Sequence, residues 1–131
     1  MDKKWSEHLS EAQRAVLVDK QTEVPFSGEY ETLYADGSYA CAACGATLFE
    51  SKTKFDAHCG WPSFYDAVPG SVVMTPDDSH GMARTEVTCA RCGGHLGHIF
   101  EGEGFATPTD QRYCVNSISL KFIPPNKTTP S

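Results

Sequence analysis

Two short turns constrain this chain more than any other feature. Cys41-Ala42-Ala43-Cys44-Gly45-Ala46-Thr47-Leu48 and Cys89-Ala90-Arg91-Cys92-Gly93-Gly94-His95-Leu96 share the pattern C-A-x-C-G-x-x-L. In a C-x-x-C-G turn both sulfurs point to one side, and the glycine supplies the backbone angle needed at the exit. Two such turns offer four thiolates, the donor set of a closed tetrahedral zinc site. The 44 residues between Cys44 and Cys89 exceed compact-ribbon spacing, so the turns must sit on separate parts of one fold and meet in space. A closed four-sulfur shell has no open position for water or substrate, which makes the zinc, one per chain, structural. The competing reading, a redox-active dithiol at one pair, wants a βαβ context that this sequence lacks.

With 131 residues and 40% hydrophobic content, the chain fits one domain with a sizeable core. Its formal charge is −6, and four thiolates binding a dication would make it more negative. Affinity for nucleic acid rests on neutralising phosphates, so a nucleic-acid partner is not expected. Met1 to His8 holds no apolar signal core, and no run approaches the ~20 apolar residues of a membrane helix. The expected setting is the reducing cytoplasm, where six cysteines are poor candidates for three structural disulfides.

Residues 6–20 read as a helix, with Ser10 and Gln13 forming a capping-box pattern. Asp36-Gly37 between Tyr34 and Tyr39 signals a hairpin. Val72 to Met74 and Met82 to Thr88 read as strands, Glu101 to Asp110 as a loop, and Arg112 to Ile123 as one long strand. Residues 1–5 are expected to be a flexible start and 124–131 a disordered tail. The fold class is therefore mainly β with an N-terminal helix, a single domain over residues 6–123 fastened between the two cysteine turns.

Cys59 and Cys114 remain once the four ligands are set aside. Both could be small buried hydrophobes, but their neighbours suggest more. On a continuous strand Arg112, Cys114 and Asn116 share a face with Ile118, Leu120 and Phe122, so an apolar anchor gives way to a polar cluster. Buried Arg and Asn need partners, and a thiol of pKa ~8.5 gains reactivity beside a cation such as Arg112. His95 and His98 are three apart and would face opposite sides of a regular strand, yet Gly97 between them permits a bulge. His95 could also complete a three-cysteine zinc site, although four cysteines already fill it. Trp61, in Gly60-Trp61-Pro62-Ser63-Phe64, is either core packing or a wall for a small apolar group.

These motifs together resemble the B-type methionine sulfoxide reductases, which act on methionine R-sulfoxide. The resemblance spans roughly residues 6–123 and rests on the two C-x-x-C turns, Cys59-Gly60-Trp61-Pro62-Ser63-Phe64, Ser79-His80-Gly81-Met82, His95-Leu96-Gly97-His98-Ile99-Phe100 and Arg112-Tyr113-Cys114-Val115-Asn116-Ser117. It implies two small antiparallel sheets in a barrel-like fold, with zinc on Cys41, Cys44, Cys89 and Cys92 away from the active site. It implies that Cys114 is the nucleophile, that Cys59 resolves the resulting sulfenic acid as a Cys59–Cys114 disulfide, and that a thioredoxin resets the enzyme. Trp61 would hold the substrate methyl group with Phe100 nearby, and His98 would protonate the sulfoxide oxygen. His95, Arg112 and Asn116 fall on supporting polar positions. The chain departs from the pattern at Gly102, where many members carry Asp, and in the length of the following loop. Glu103 is the candidate for that acidic role. Two readings without reductase activity compete: a zinc-knuckle binding module and a zinc-thiolate redox sensor.

Overall fold

The structure, a computed structural model, describes residues 3–22, 30, 36–55, 60–77, 84–101, 107–109 and 111–124. Two short helices, α1 (Lys3–Ser6) and α2 (Glu11–Leu17), precede nine strands. These are β1 (Ser38–Cys41), β2 (Thr47–Glu50), β3 (Lys54–Phe55), β4 (Ser63–Phe64), β5 (Val72–Asp77), β6 (Arg84–Cys89), β7 (His95–Glu101), β8 (Gln111–Val115) and β9 (Leu120–Ile123). All pairings are antiparallel, giving a three-stranded sheet of order β2-β1-β9 and a six-stranded sheet of order β3-β4-β8-β7-β6-β5.

The capping box at Ser10 is present. Ser10 Oγ accepts from the Gln13 amide at 3.1 Å, and the Ser10 amide donates to Gln13 Oε1 at 2.8 Å. The helix expected over 6–20 is nevertheless only α2. Extended backbone at Ser10 separates it from α1, and Lys20 at φ 61° turns the chain out of it. The Lys20 and Gln21 amides then donate to the carbonyls of Val16 and Ala15, and lysine takes the left-handed position where glycine is usual after a helix. The stretch read as a flexible start contributes α1, whose Trp5 packs against the core and lies 5.0 Å under the Arg91 guanidinium. His8 Nε2 lies 3.1 Å from the Ala42 carbonyl, so this segment touches both cysteine turns.

The single strand expected from Arg112 to Ile123 is a correction. β8 ends at Val115, a 3₁₀ turn occupies Ser117–Ser119, and β9 belongs to the other sheet. Asn116 makes the break, because its amide N–H and its Nδ2 both donate to the Leu96 carbonyl at 2.9 Å. Side-chain bonds of this kind compete with a sheet ladder. The two-residue alternation therefore does not run from Cys114 through to Leu120 and Phe122. The strands expected near 72–74 and 82–88 are β5, which continues to Asp77, and β6, of which residues 84–89 are described. The first arm of the hairpin at Asp36-Gly37 lies outside the described residues, as do residues 125–131, and β1 pairs instead with β2 and β9. Of the expected loop, Glu101 closes β7 and residues 102–106 and 110 lie outside the described set.

Aromatic rings bond the two sheets together. Phe49 of β2 stacks on Phe64 of β4 with centroids 4.4 Å apart, and Tyr39 of β1 meets Phe64 edge-on at 5.1 Å. All three are fully buried. Such pairs add ~0.5–1.5 kcal/mol each beyond the area they bury. Val16 and Leu17 bury one face of α2 against the same body, and Leu17 joins its core.

Candidate active site and metal centre

The two cysteine turns are the same structure twice. In the first, the Cys41 amide donates to the Ala46 carbonyl and the Gly45 amide to the Cys41 carbonyl. In the second, Cys89 donates to Gly94 and Gly93 to Cys89. Gly45 and Gly93 take φ of 80° and 78°, the left-handed region where a side chain is strained. The turns cap β1 and β6, one in each sheet, and bring the four sulfurs within 4.8 Å of one another. Cys41 and Cys92 sulfurs are 3.6 Å apart, and those of Cys44 and Cys89 are 3.5 Å apart. A tetrahedral site with metal–sulfur bonds of ~2.3 Å has edges of ~3.8 Å, so these four cysteines could hold a metal ion with little movement. Hydrogen bonds from the Cys41 and Cys92 thiols, then from the Cys92 and Arg91 amides, pull Cys89 down to about 2. Its hydrogen bonds to Cys89 and Cys92 push the Cys41 thiol up.

A second constellation lies on one face of the six-stranded sheet. Register places Cys114 of β8 directly opposite His98 of β7, and His98 opposite Glu86 of β6. Ser63 of β4 pairs with Cys114 from the other side, and the Val115 amide donates to the Pro62 carbonyl at 3.0 Å. The tryptophan loop is thereby bound alongside Cys114. Together Trp61, His98, Phe100, Arg112, Cys114 and Asn116 line a cavity of about 200 Å³, with Thr22, Arg84 and Gly97 completing it. The Arg112 guanidinium lies 4.4 Å over the Phe100 ring, an arrangement that orients a cation by the ring's quadrupole. Cys114 is half-buried at this cavity.

The bulge anticipated around Gly97 exists. Thr88 pairs with His95 and Val87 with Gly97, so Leu96 is the extra residue of β7. It brings the two imidazoles to 5.6 Å between centroids. Gly97 is also required by its neighbour, because a Cβ there would run into the Cys114 carbonyl oxygen and lie 3.0 Å from the Val115 Cα. Yet the two histidines have different surroundings. His98 lines both the Cys114 cavity and an adjoining one, and His95 borders the adjoining one together with Lys20, Asp77 and Glu86. His95 is buried, with Nδ1 2.8 Å from Glu86 Oε2, and Lys20 Nζ bonds the other Glu86 oxygen at 3.3 Å. Burial pushes the His95 pKa down against the pull of Glu86.

Asp77 is a neighbour of His98 that spacing did not reveal. Its Oδ2 lies 2.8 Å from His98 Nε2 and 3.5 Å from an Arg84 guanidinium nitrogen. Expectation had placed the acidic partner of this region at Glu103, which lies outside the described residues, as does Cys59. Continuing the two-residue period of β5 from Val73 through Thr75 would have put Asp77 on the site face.

The SelR domain family matches residues 9–124. The chain belongs to that family. Among SelR-domain relatives, peptide methionine sulfoxide reductase B2, chloroplastic, of Arabidopsis thaliana is 55% identical over 97% of this chain and 62% of its own length. The chloroplastic B3 protein of Oryza sativa subsp. japonica is 56% identical over 94% of this chain and 53% of its own length. The B5 protein of the same plant is 54% identical over 94% of this chain and 89% of its own. The chain thus spans somewhat more than half of the first two and most of the third. Its fold also resembles the crystal structure of the Mis18 'Yippee-like' domain. There the TM-score is 0.50 and identity 19%, over 67% of this chain and 95% of that one, a likeness of fold alone. No helix among the described residues is long and apolar enough to cross a membrane.

Proposed function

We propose that this SelR-domain chain reduces the R epimer of methionine sulfoxide, free or within proteins, with Cys114 as nucleophile. The observation that carries the reading is Cys114 facing His98 across one strand pair, at a cavity walled by Trp61 and Phe100. Trp61 and Phe100 receive the methyl group, and this fixes where the oxygen of a chiral sulfoxide must lie. The Cys114 thiolate attacks the sulfoxide sulfur while His98 protonates the oxygen. Asp77 holds His98 through Nε2, which leaves Nδ1 to carry the transferred proton. Methionine departs and the oxygen stays on Cys114 as a sulfenic acid. Asn116 anchors the end of β8 on the Leu96 carbonyl, and Arg112, stacked on Phe100, adds positive charge near the thiolate.

Cys59 lies two residues before Trp61 in the sequence and is our resolving thiol. Its attack on the sulfenic acid forms a Cys59–Cys114 disulfide and releases water. A thioredoxin-type dithiol then reduces that disulfide by exchange, a cycle suited to a reducing compartment, in our reading the cytoplasm. Zinc is our assignment for the metal of Cys41, Cys44, Cys89 and Cys92. When bound, it supplies folding energy rather than chemistry, since a closed thiolate shell offers no reactive position.

Turnover of separated sulfoxide epimers with a dithiol reductant tests the reading. R should be consumed and S left nearly untouched, and equal rates on both would overturn it.

A further inference from the structure

Met74 stands apart from the site and resembles its substrate. It lies on β5, the outermost strand of the six-stranded sheet, and is 48% exposed, with Val73 beside it 47% exposed. Register fixes its face. Met74 pairs with Val87, whereas Thr75 pairs with Glu86 and Asp77 with Arg84. Glu86 in turn pairs with His98, and His98 with Cys114. Directly paired residues share a face of a sheet and successive residues alternate. Met74 therefore projects from the face opposite Cys114, and three strand spacings away, about 14 Å at ~4.8 Å per strand. Its sulfur cannot reach the Cys114 of its own chain without crossing the sheet. It can reach another chain's, because an unbranched side chain on an open edge presents its thioether to solvent.

We infer that Met74 is an oxidation site of this protein and that its R sulfoxide is reduced in trans, by Cys114 of a second copy. The inference rests on the reading above. In the first step hydrogen peroxide transfers one oxygen to the Met74 sulfur and leaves as water. In the second, the other copy's Cys114 takes that oxygen as a sulfenic acid and Met74 returns to the thioether. Cys59 of that copy then condenses with the sulfenic acid, releasing water and forming a disulfide, and a dithiol such as dithiothreitol reduces this disulfide by exchange and becomes a disulfide itself. Peroxide forms both epimers, so the S sulfoxide of Met74 persists and records past oxidation.

The test oxidises isotope-labelled Cys114→Ser chain with peroxide, removes the peroxide, and adds unlabelled wild type with dithiothreitol. Fragment mass spectrometry follows the sulfoxide at Met74. About half of it, the share of one epimer, should disappear, at a rate proportional to wild-type concentration, and none without wild type. Oxidised wild type alone, assayed over a dilution series, should repair more slowly per chain as it is diluted. A Met74 that resists peroxide, sulfoxide that persists while the same wild type reduces free methionine R-sulfoxide, or repair independent of dilution would each overturn the inference. Failure on the free R epimer would instead overturn the proposed function on which it stands.

Discussion

Asp77 and His98 come from strands that are not neighbours, since β6 lies between β5 and β7. Their 2.8 Å contact is a charge-assisted hydrogen bond when the imidazole is protonated, of a kind worth ~1.5–3 kcal/mol. Asp77→Asn keeps the shape and removes the charge, so it should slow single-turnover sulfoxide reduction by ~10–10²-fold. His98→Ala, which removes the proton donor itself, should cost ~10²–10⁴-fold. Asp77→Glu should recover part of the rate, and substrate affinity should change little in all three. An Asp77→Asn enzyme with wild-type single-turnover rates would remove Asp77 from the mechanism. At this scale the sequence was readable where chemistry marks the residue type. Cys114, His98 and Trp61 meet at one cavity as their motifs suggested. Asp77 carried no such mark, because its partner is 21 residues away and is set by strand order. Regular spacing would have set His95 and His98 on opposite faces, and the bulge at Leu96 instead brings their rings within 5.6 Å, both bordering the cavity beside Lys20 and Glu86.

Elements explain why so short a stretch of β7 and β8 can hold the reactive groups. At Gly97 the two strands approach until a Cβ would overlap the Cys114 backbone, and backbone cannot yield as a side-chain tip can. Gly97→Ala should therefore destabilise the protein by ~1–3 kcal/mol, the range for overpacking, and also depress activity by parting His98 from Cys114. Nothing lies within 4 Å of a Cβ at Gly93, which is strained only through its φ of 78°. Gly93→Ala should cost ~1–2 kcal/mol and leave the rate per folded molecule unchanged. Urea denaturation beside active-site-normalised turnover separates the two, and a Gly97→Ala enzyme with wild-type stability and rate would refute the close-approach argument. Element identity was legible wherever a local signal existed, as at the Ser10 capping box and the paired C-x-x-C-G turns. It failed where tertiary bonds override pattern. The alternating residues after Cys114 read as continuous strand, but Asn116 bonds the Leu96 carbonyl twice and diverts the chain into the second sheet.

Among the described residues, two joints between the sheets stand out, the Tyr39, Phe49 and Phe64 rings and the four cysteines. The joints differ in kind. The aromatic contact is dry packing retained at any pH, whereas four clustered thiols are a favourable arrangement only when a cation compensates the thiolates. Cys41 ends β1 of the small sheet with Cys44 in the turn after it, and Cys89 ends β6 of the large one with Cys92 in the turn towards β7. Loss of metal should thus act on both sheets at once rather than fray one edge. The wild-type protein should contain one zinc per chain by elemental analysis. Cys41→Ser, or wild type held with a strong chelator, should melt at a clearly lower temperature, since structural zinc in small domains contributes ~10–16 kcal/mol of apparent binding free energy. Far-ultraviolet dichroism, which reports both sheets, and tryptophan fluorescence should fall together, because Trp5 packs beside the second turn and Trp61 beside Cys114. Fluorescence changing well before the dichroism would show that the cysteine cluster secures only its own turn. An unchanged melting temperature would show that the cysteine cluster contributes nothing to holding the sheets together.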